Sequence, residues 1–114
     1  MKNESHLHIL WTTDNPVTAE KMVLMYGGNS MLKGWWEKVT IIIWGAADVL
    51  AATDPLIQAR MKELMEMGVQ FTACKRCAET LDVEQPLKDL GVEVKYWGES
   101  LTKLLQSGAT LLTV

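Results

Sequence analysis

Polar and apolar residues fall in blocks along this chain, and five apolar runs stand out. Four are rich in β-branched or aromatic residues, at positions 7–11, 39–44, 69–71 and 92–97; the fifth, 111–114, closes the sequence. Short runs of this content predict β-strands. The second reads Val-Thr-Ile-Ile-Ile-Trp without alternation, the pattern of a central strand covered on both faces. Between the runs, apolar positions recur at helical spacing. Asp14-Asn15-Pro16 supplies a capping residue and an early proline for a helix from about Val17 to Leu32. Asp54-Pro55 repeats the signal for a helix ending at Gly68, in which Ile57, Met61, Leu64 and Met65 face the sheet. The helical spacing of Met22 and Met25 places them in the core by the same rule. Shorter helices are predicted over 76–80, 84–90 and 100–106. Gly27-Gly28-Asn29-Ser30 lacks the strand before it and the Lys-Ser/Thr after it that a phosphate loop requires. It reads instead as a loosely held stretch of the first helix, or a point of close backbone approach.

Strands alternating with helices imply right-handed crossovers, hence a mainly parallel sheet with helices on both faces. The expected fold is a three-layer α/β/α, five-stranded, flavodoxin-like design, a single domain over 1–114. Gly45, Gly68, Gly91, Gly98 and Gly108 fall at the joints. No repeat, low-complexity tract or long linker interrupts the pattern.

Composition narrows the function classes. An apolar fraction of 48% with 22% charged residues is that of a globular chain. A net charge of -3 without a basic cluster argues against nucleic acid as the partner. The longest apolar stretch, 39–47, is far short of the roughly 20 residues of a membrane helix, so no membrane partner is expected. The opening Met-Lys-Asn-Glu-Ser-His carries no leader pattern, which makes the cytoplasm the expected compartment. Thiols there are kept reduced, so two cysteines read as reactive or metal-binding rather than structural.

In parallel sheets, sites form beyond the carboxyl ends of the strands. Those ends release Thr12-Thr13-Asp14, Gly45-Ala46-Ala47, Ala73-Cys74-Lys75 and Gly98-Glu99-Ser100. Cys74 is the nucleophile in this set. If a helix starts near Lys75, the sulfur sits beside unpaired amides that favour thiolate, and Lys75 and Arg76 push the same way. Cys77 follows one turn later, within reach as a resolving thiol. The expected site is therefore Cys74 and Cys77, with Thr12, Thr13, Gly45, Lys75 and Arg76 as neighbouring binding residues. Trp44 and Trp97 end strands and either wall the Cys74 pocket or cap the core. Buried cysteine also serves as a small hydrophobe, and that alternative stands beside the reactive one. A structural zinc site needs four ligands, whereas His6 and His8 open the first strand, away from Cys74. No metal and no cofactor is expected. Of the adjacent pair Trp35 and Trp36, one is expected in the core and the other exposed as an interface anchor. Glu99 reads as a solvated cap of the last helix.

These residues resemble the DsrE/DsrF family of small sulfur-handling proteins, which includes sulfur-relay subunits of the TusD type. The resemblance rests on the opening strand with its Thr-Thr loop, Gly34-Trp35-Trp36-Glu37-Lys38-Val39, and Ile41-Ile42-Ile43-Trp44-Gly45. Gly68-Val69-Gln70-Phe71-Thr72-Ala73-Cys74 completes it, since the family's glycine-led strand ends on the sulfur-accepting cysteine. The resemblance implies a five-stranded α/β/α fold, assembly as a homotrimer or homohexamer, and a persulfide on Cys74 carried between donor and acceptor proteins. It implies a sulfur-transfer subunit rather than a stand-alone enzyme. Cys77 departs from relay members with a small apolar residue there. That departure keeps two alternatives open: a thiol–disulfide redox protein using Cys74 and Cys77, and a non-catalytic oligomeric module binding a small ligand or a protein.

Overall fold

A computed structural model describes residues 5–114, so the opening segment on which the leader expectation rests lies mostly outside the described residues. Its strands are β1 (His6–Trp11), β2 (Lys38–Ile43), β3 (Gln70–Cys74), β4 (Glu93–Lys95) and β5 (Thr110–Thr113). The first crossover is one continuous helical rod: α1 (Pro16–Thr18), a π-helical stretch (Ala19–Leu24) and α2 (Met25–Leu32). The others are α3 (Ala46–Thr53), α4 (Pro55–Glu66), α5 (Lys75–Thr80), α6 (Glu84–Asp89) and α7 (Gly98–Gln106).

Both proline-led starts form as the sequence predicts. Asn15 Oδ1 accepts from the amides of Val17 and Thr18, and Asp54 Oδ1 from those of Leu56 and Ile57. Each bond satisfies a helix-start donor that has no intrahelical acceptor.

All strand pairings are parallel, in the order β4-β3-β2-β1-β5. The layers are those of the flavodoxin design, with β5 added outside β1. β2 is central, and after the exposed Lys38 its remaining five residues are buried. Full burial of Ile41, Ile42 and Ile43 contributes about 1.5–3 kcal/mol each, which is why this run cannot alternate.

Alternation in β1 separates the two faces of the sheet. Leu7, Ile9 and Trp11 join Val39, Ile41, Ile43, Phe71 and Ala73 under the helices that connect β1 through β4. The opposite face holds Leu10, Ile42, Leu111 and Cys74, covered by α7 through Leu101 and Leu104. The two helical layers are therefore unequal, because only the β4-to-β5 crossover returns across the sheet. Where α7 does not reach, the face turns polar. His6 Nε2 lies 2.7 Å from Thr40 Oγ1, which donates to Gln70 Oε1 at 3.3 Å.

The π-helical stretch corrects one sequence expectation. It buries Ala19, Val23 and Leu24 and leaves Met22 and Met25 about two-fifths exposed, although 3.6-residue spacing places both in the core. A wider turn rotates the following residues out of phase with the α-helical pattern. Met61 is fully buried in α4, as its spacing predicts. Gly27 and Gly28 turn out to be points of close approach: a Cβ on Gly27 would lie 3.2 Å from Ile41 Cδ1, and one on Gly28 3.2 Å from Leu64 Cδ1. Trp36 packs against the core and donates to Tyr26 Oη at 3.3 Å, while Trp35 is exposed.

Candidate functional site

Cys74 ends β3 and is the N-cap residue of α5, with φ −69° and ψ 114°. Strand register puts it on the same face as Thr72 and Gln70, opposite Ala73 and Phe71, beside Lys95 of β4. Its side chain makes no capping hydrogen bond to the α5 amides. The expectation of direct amide contacts is therefore corrected. An extended N-cap in strand register turns the sulfur into the α7 side of the sheet, where it packs with Ile42 and Trp97. Only 4% of Cys74 is exposed.

Cys77, one turn along α5, is the more accessible thiol. It lines a groove of about 680 Å³ with Gly45, Ala46, Val49, Leu50 and Leu81. Burial pushes the Cys77 thiol up; contact with the Cys74 thiol and the charge of Asp48 add to this, while the Gly45 N–H works against it. Cys77 also packs against the apolar cluster that holds Cys74, with the loop after β2 against it. That loop is positioned by Gly45, whose φ of +65° favours glycine over any residue with a Cβ.

Other predicted site residues divide by position. Trp97 is 6% exposed and packs with Cys74 and Ile42, and Trp44 packs against the same apolar cluster. The Trp97 indole donates to Thr72 Oγ1 at 2.7 Å, and Lys95 Nζ lies 4.4 Å from the ring centroid. Lys75 pairs with Glu84 at 3.7 Å and lies over the Tyr96 ring, which draws its charge toward α6. Arg76 is exposed. Thr12 and Thr13 lie elsewhere: both amides and the Thr12 hydroxyl donate to the Val114 carbonyl, and Thr13 Oγ1 accepts from Asn15. The Thr-Thr loop fastens the end of β5 rather than facing the cysteines. Glu99 is a solvated first-turn residue of α7, paired with Lys103.

Sequence reasoning missed Asp48, in the first turn of α3, a helix it did not place. The residue is 0% exposed, neither carboxyl oxygen has a hydrogen-bond partner, and burial raises its pKa from 3.8 to about 7. The available signal was a single acid within Ala-Ala-Asp-Val-Leu-Ala-Ala, a strong helix former with one face of small residues.

A second cavity, of about 540 Å³, opens on the polar sheet face beside His6, Thr40, Gln70, Glu93 and Trp97, away from Cys77. His6 and His8 stack there with centroids 4.0 Å apart. Among the described residues no cluster of three or more His, Cys, Asp or Glu side chains has metal-binding geometry. No helix among them is long and apolar enough to cross a membrane.

Comparison with known proteins agrees with this architecture. Residues 18–114 match the sequence profile of the DsrE/DsrF-like family. A conserved protein of unknown function from Bacteroides thetaiotaomicron, BT1422, is 39% identical with a TM-score of 0.94, over 96% of this chain and 95% of that one. The ychN protein from E. coli is 14% identical with a TM-score of 0.73, over 98% of this chain and 100% of its own. A protein of unknown function from Methanobacterium thermoautotrophicum, MTH1491, is 18% identical with a TM-score of 0.70, over 98% and 100%. The latter two show likeness of fold alone. No curated protein matches significantly.

Proposed function

Because the chain belongs to the DsrE/DsrF-like family, we propose that it is a cysteine-based sulfur carrier in which Cys74 holds a persulfide for transfer to a partner protein. The observation that carries this reading is the placement of Cys74 at the carboxyl end of β3, as the N-cap residue of α5, with Cys77 packed against the same apolar cluster. Strand ends are where parallel sheets hold their ligands, and the helix dipole favours an anion at that end. Trp97, Trp44 and Ile42 give the sulfur an apolar surround that keeps water from a reactive sulfane group. The carrier works in the cytoplasm between sulfur donor and acceptor proteins and assembles as a homotrimer or homohexamer.

Thiol–disulfide exchange is the second reading, favoured by the packing of Cys77 against the cluster that holds Cys74 and by the access of Cys77 to the groove. The two readings differ in what they require of Cys77. A carrier loads Cys74 without it, whereas an exchange protein loses turnover with a dithiol when it is replaced.

The deciding experiment is incubation with inorganic polysulfide, followed by mass spectrometry of wild type, Cys74→Ala and Cys77→Ser. The expected result is a gain of about 32 Da, one sulfur atom, on Cys74 in wild type and Cys77→Ser, and none in Cys74→Ala. Loading that survives in Cys74→Ala overturns the assignment.

A further inference from the structure

Asp48 is a carboxyl sealed inside the protein by a weakly anchored helix. Neither oxygen reaches solvent or a hydrogen-bond donor, so its charged form loses hydration that nothing replaces. Besides Asp48, α3 buries Ala47, Ala51 and Ala52, whereas α4 buries Ile57, Met61 and Leu64. Alanine brings little apolar area to an interior, so α3 is held less firmly than its neighbour. Its two ends also differ. At the carboxyl end Thr53 Oγ1 donates to the Val49 carbonyl at 2.7 Å, and Gln58 Nε2 to the Ala51 carbonyl at 3.1 Å. At the amino end Gly45 caps the helix without a side-chain hydrogen bond, and Asp48 lies in the first turn.

The helices packed against α3 are α4, α5 and α6, and their charged groups are engaged with one another or with solvent. On α4, Arg60 pairs with Glu63, while Lys62 and Glu66 are exposed. On α6, Glu84 engages Lys88 and the α5 residue Lys75, and Asp89 accepts from Gln85. On α5, Arg76 is exposed, Glu79 accepts from Tyr96, and Cys77 is the titratable group that the Asp48 charge reaches. Burial therefore stands alone as the cause that raises the Asp48 pKa to about 7.

We propose that the first turn of α3 is a pH-released wall of the Cys77 groove, shut over the protonated Asp48 carboxyl and opening to water when that carboxyl ionises. Gly45, Ala46, Val49 and Leu50 form this side of the groove, facing Cys77, Thr80 and Leu81 of α5. Opening the turn hydrates the carboxylate and widens the space from which Cys77 is reached. The device goes beyond the carrier reading and does not depend on Cys74 holding sulfur. Its sign follows from linkage. The closed turn keeps a proton that a hydrated carboxyl gives up above its ordinary value of 3.8, so opening is favoured as pH rises from about 4 to 7 and levels off above. Opening in that window increases about tenfold per pH unit, because one proton is released with each event.

The test is amide hydrogen exchange from pH 4 to 7.5 in wild type and Asp48→Asn, corrected for the intrinsic pH dependence of exchange. In wild type the amides of 47–50 are expected to exchange at least about tenfold faster than those of Ile41–Ile43 in β2, which open only with the whole fold. Their opening should rise about tenfold per unit up to pH 7, and in Asp48→Asn it should stay flat. Labelling of Cys77 by a bulky maleimide at pH 7 reads the groove. Closure predicts slower labelling in Asp48→Asn, by about fivefold or more, although loss of a nearby negative charge by itself favours the reactive thiolate. Asp48→Ala carries the same comparisons should the amide variant not fold. Exchange of 47–50 only together with β2, an equal pH slope in wild type and variant, or Cys77 labelling as fast as or faster than wild type in the variant overturns the proposal.

Discussion

Trp97 Nε1 donates to Thr72 Oγ1 across 2.7 Å in the buried layer beneath α7. Thr72 lies two residues before Cys74 on the same face of β3, so the bond anchors the start of α7 next to the thiol. The indole then packs with Cys74 and Ile42. One buried hydrogen bond thereby couples α7 to the strand that presents the sulfur.

Thr72→Val tests that coupling, since valine keeps the side-chain volume and removes the acceptor. A buried N–H left without a partner costs about 1–3 kcal/mol. The variant should unfold at lower urea concentration, and its Cys74 should alkylate faster with a small reagent as α7 loosens. Thr72→Ser, which retains the hydroxyl, should stay closer to wild type. Equal stability of the two variants would show that the bond contributes nothing net.

Asp48 sets a pH dependence of stability. Its pKa is raised from 3.8 to about 7, so between those values the folded chain holds a proton that the unfolded chain has released. Stability from this group is therefore highest in acid and is lost as pH rises from about 4 to 7. Relative to wild type, Asp48→Asn should gain stability across that window, by on the order of 3–4 kcal/mol between its two ends. Urea titrations at several pH values measure the difference. A constant gap between the two proteins across the window would mean that the carboxyl is not buried in its charged form.

Most of the architecture was legible because its signals are local. The five apolar runs became the five strands, and the Asn15-Pro16 and Asp54-Pro55 starts carried their caps as the pattern required. Where the sequence misled, a non-local cause is identifiable. Met22 and Met25 obey α-helical spacing, but the π-helical stretch changes the phase, and no residue preference announces it. α3 escaped because Gly45 caps it without a side-chain hydrogen bond, leaving no start signal. Cys74 was readable from its place at a strand–helix joint, whereas the isolation of Asp48 depends on how α3 packs against other helices. Thr12 and Thr13 were legible as a loop but not as fasteners of Val114, a partner 102 residues from Thr12.

Gly27 offers a packing test in the first crossover. A Cβ there would sit 3.2 Å from Ile41 Cδ1 and 3.6 Å from Ile9 Cδ1, both in fully buried side chains of adjacent strands. Gly27→Val adds branched bulk where these neighbours have no room to retreat, and should cost about 1–3 kcal/mol through overpacking. The loss should appear in the urea midpoint with the slope unchanged. If the variant matches wild type, the helix has shifted off the sheet, and the close approach is not required by the fold.

His8 should act on stability in the opposite direction to Asp48. It is 7% exposed, its Nδ1 lies 3.3 Å from the Thr110 carbonyl, and burial lowers its pKa below the ordinary 6.5. Below that ordinary value the unfolded chain takes up a proton that the folded chain resists, so this contribution is complete above 6.5 and is lost as pH falls through the lowered value. In wild type the two trends oppose one another over part of the same range, and a shallow profile would conceal both. The Asp48→Asn background removes one of them. There, stability should fall on acidification from about pH 7 to 5, and adding His8→Gln should flatten the curve. Because His8 faces the Thr110 carbonyl, amide exchange in β5 should quicken with the same pH dependence. A slope that persists unchanged in the double variant would place its source in another group.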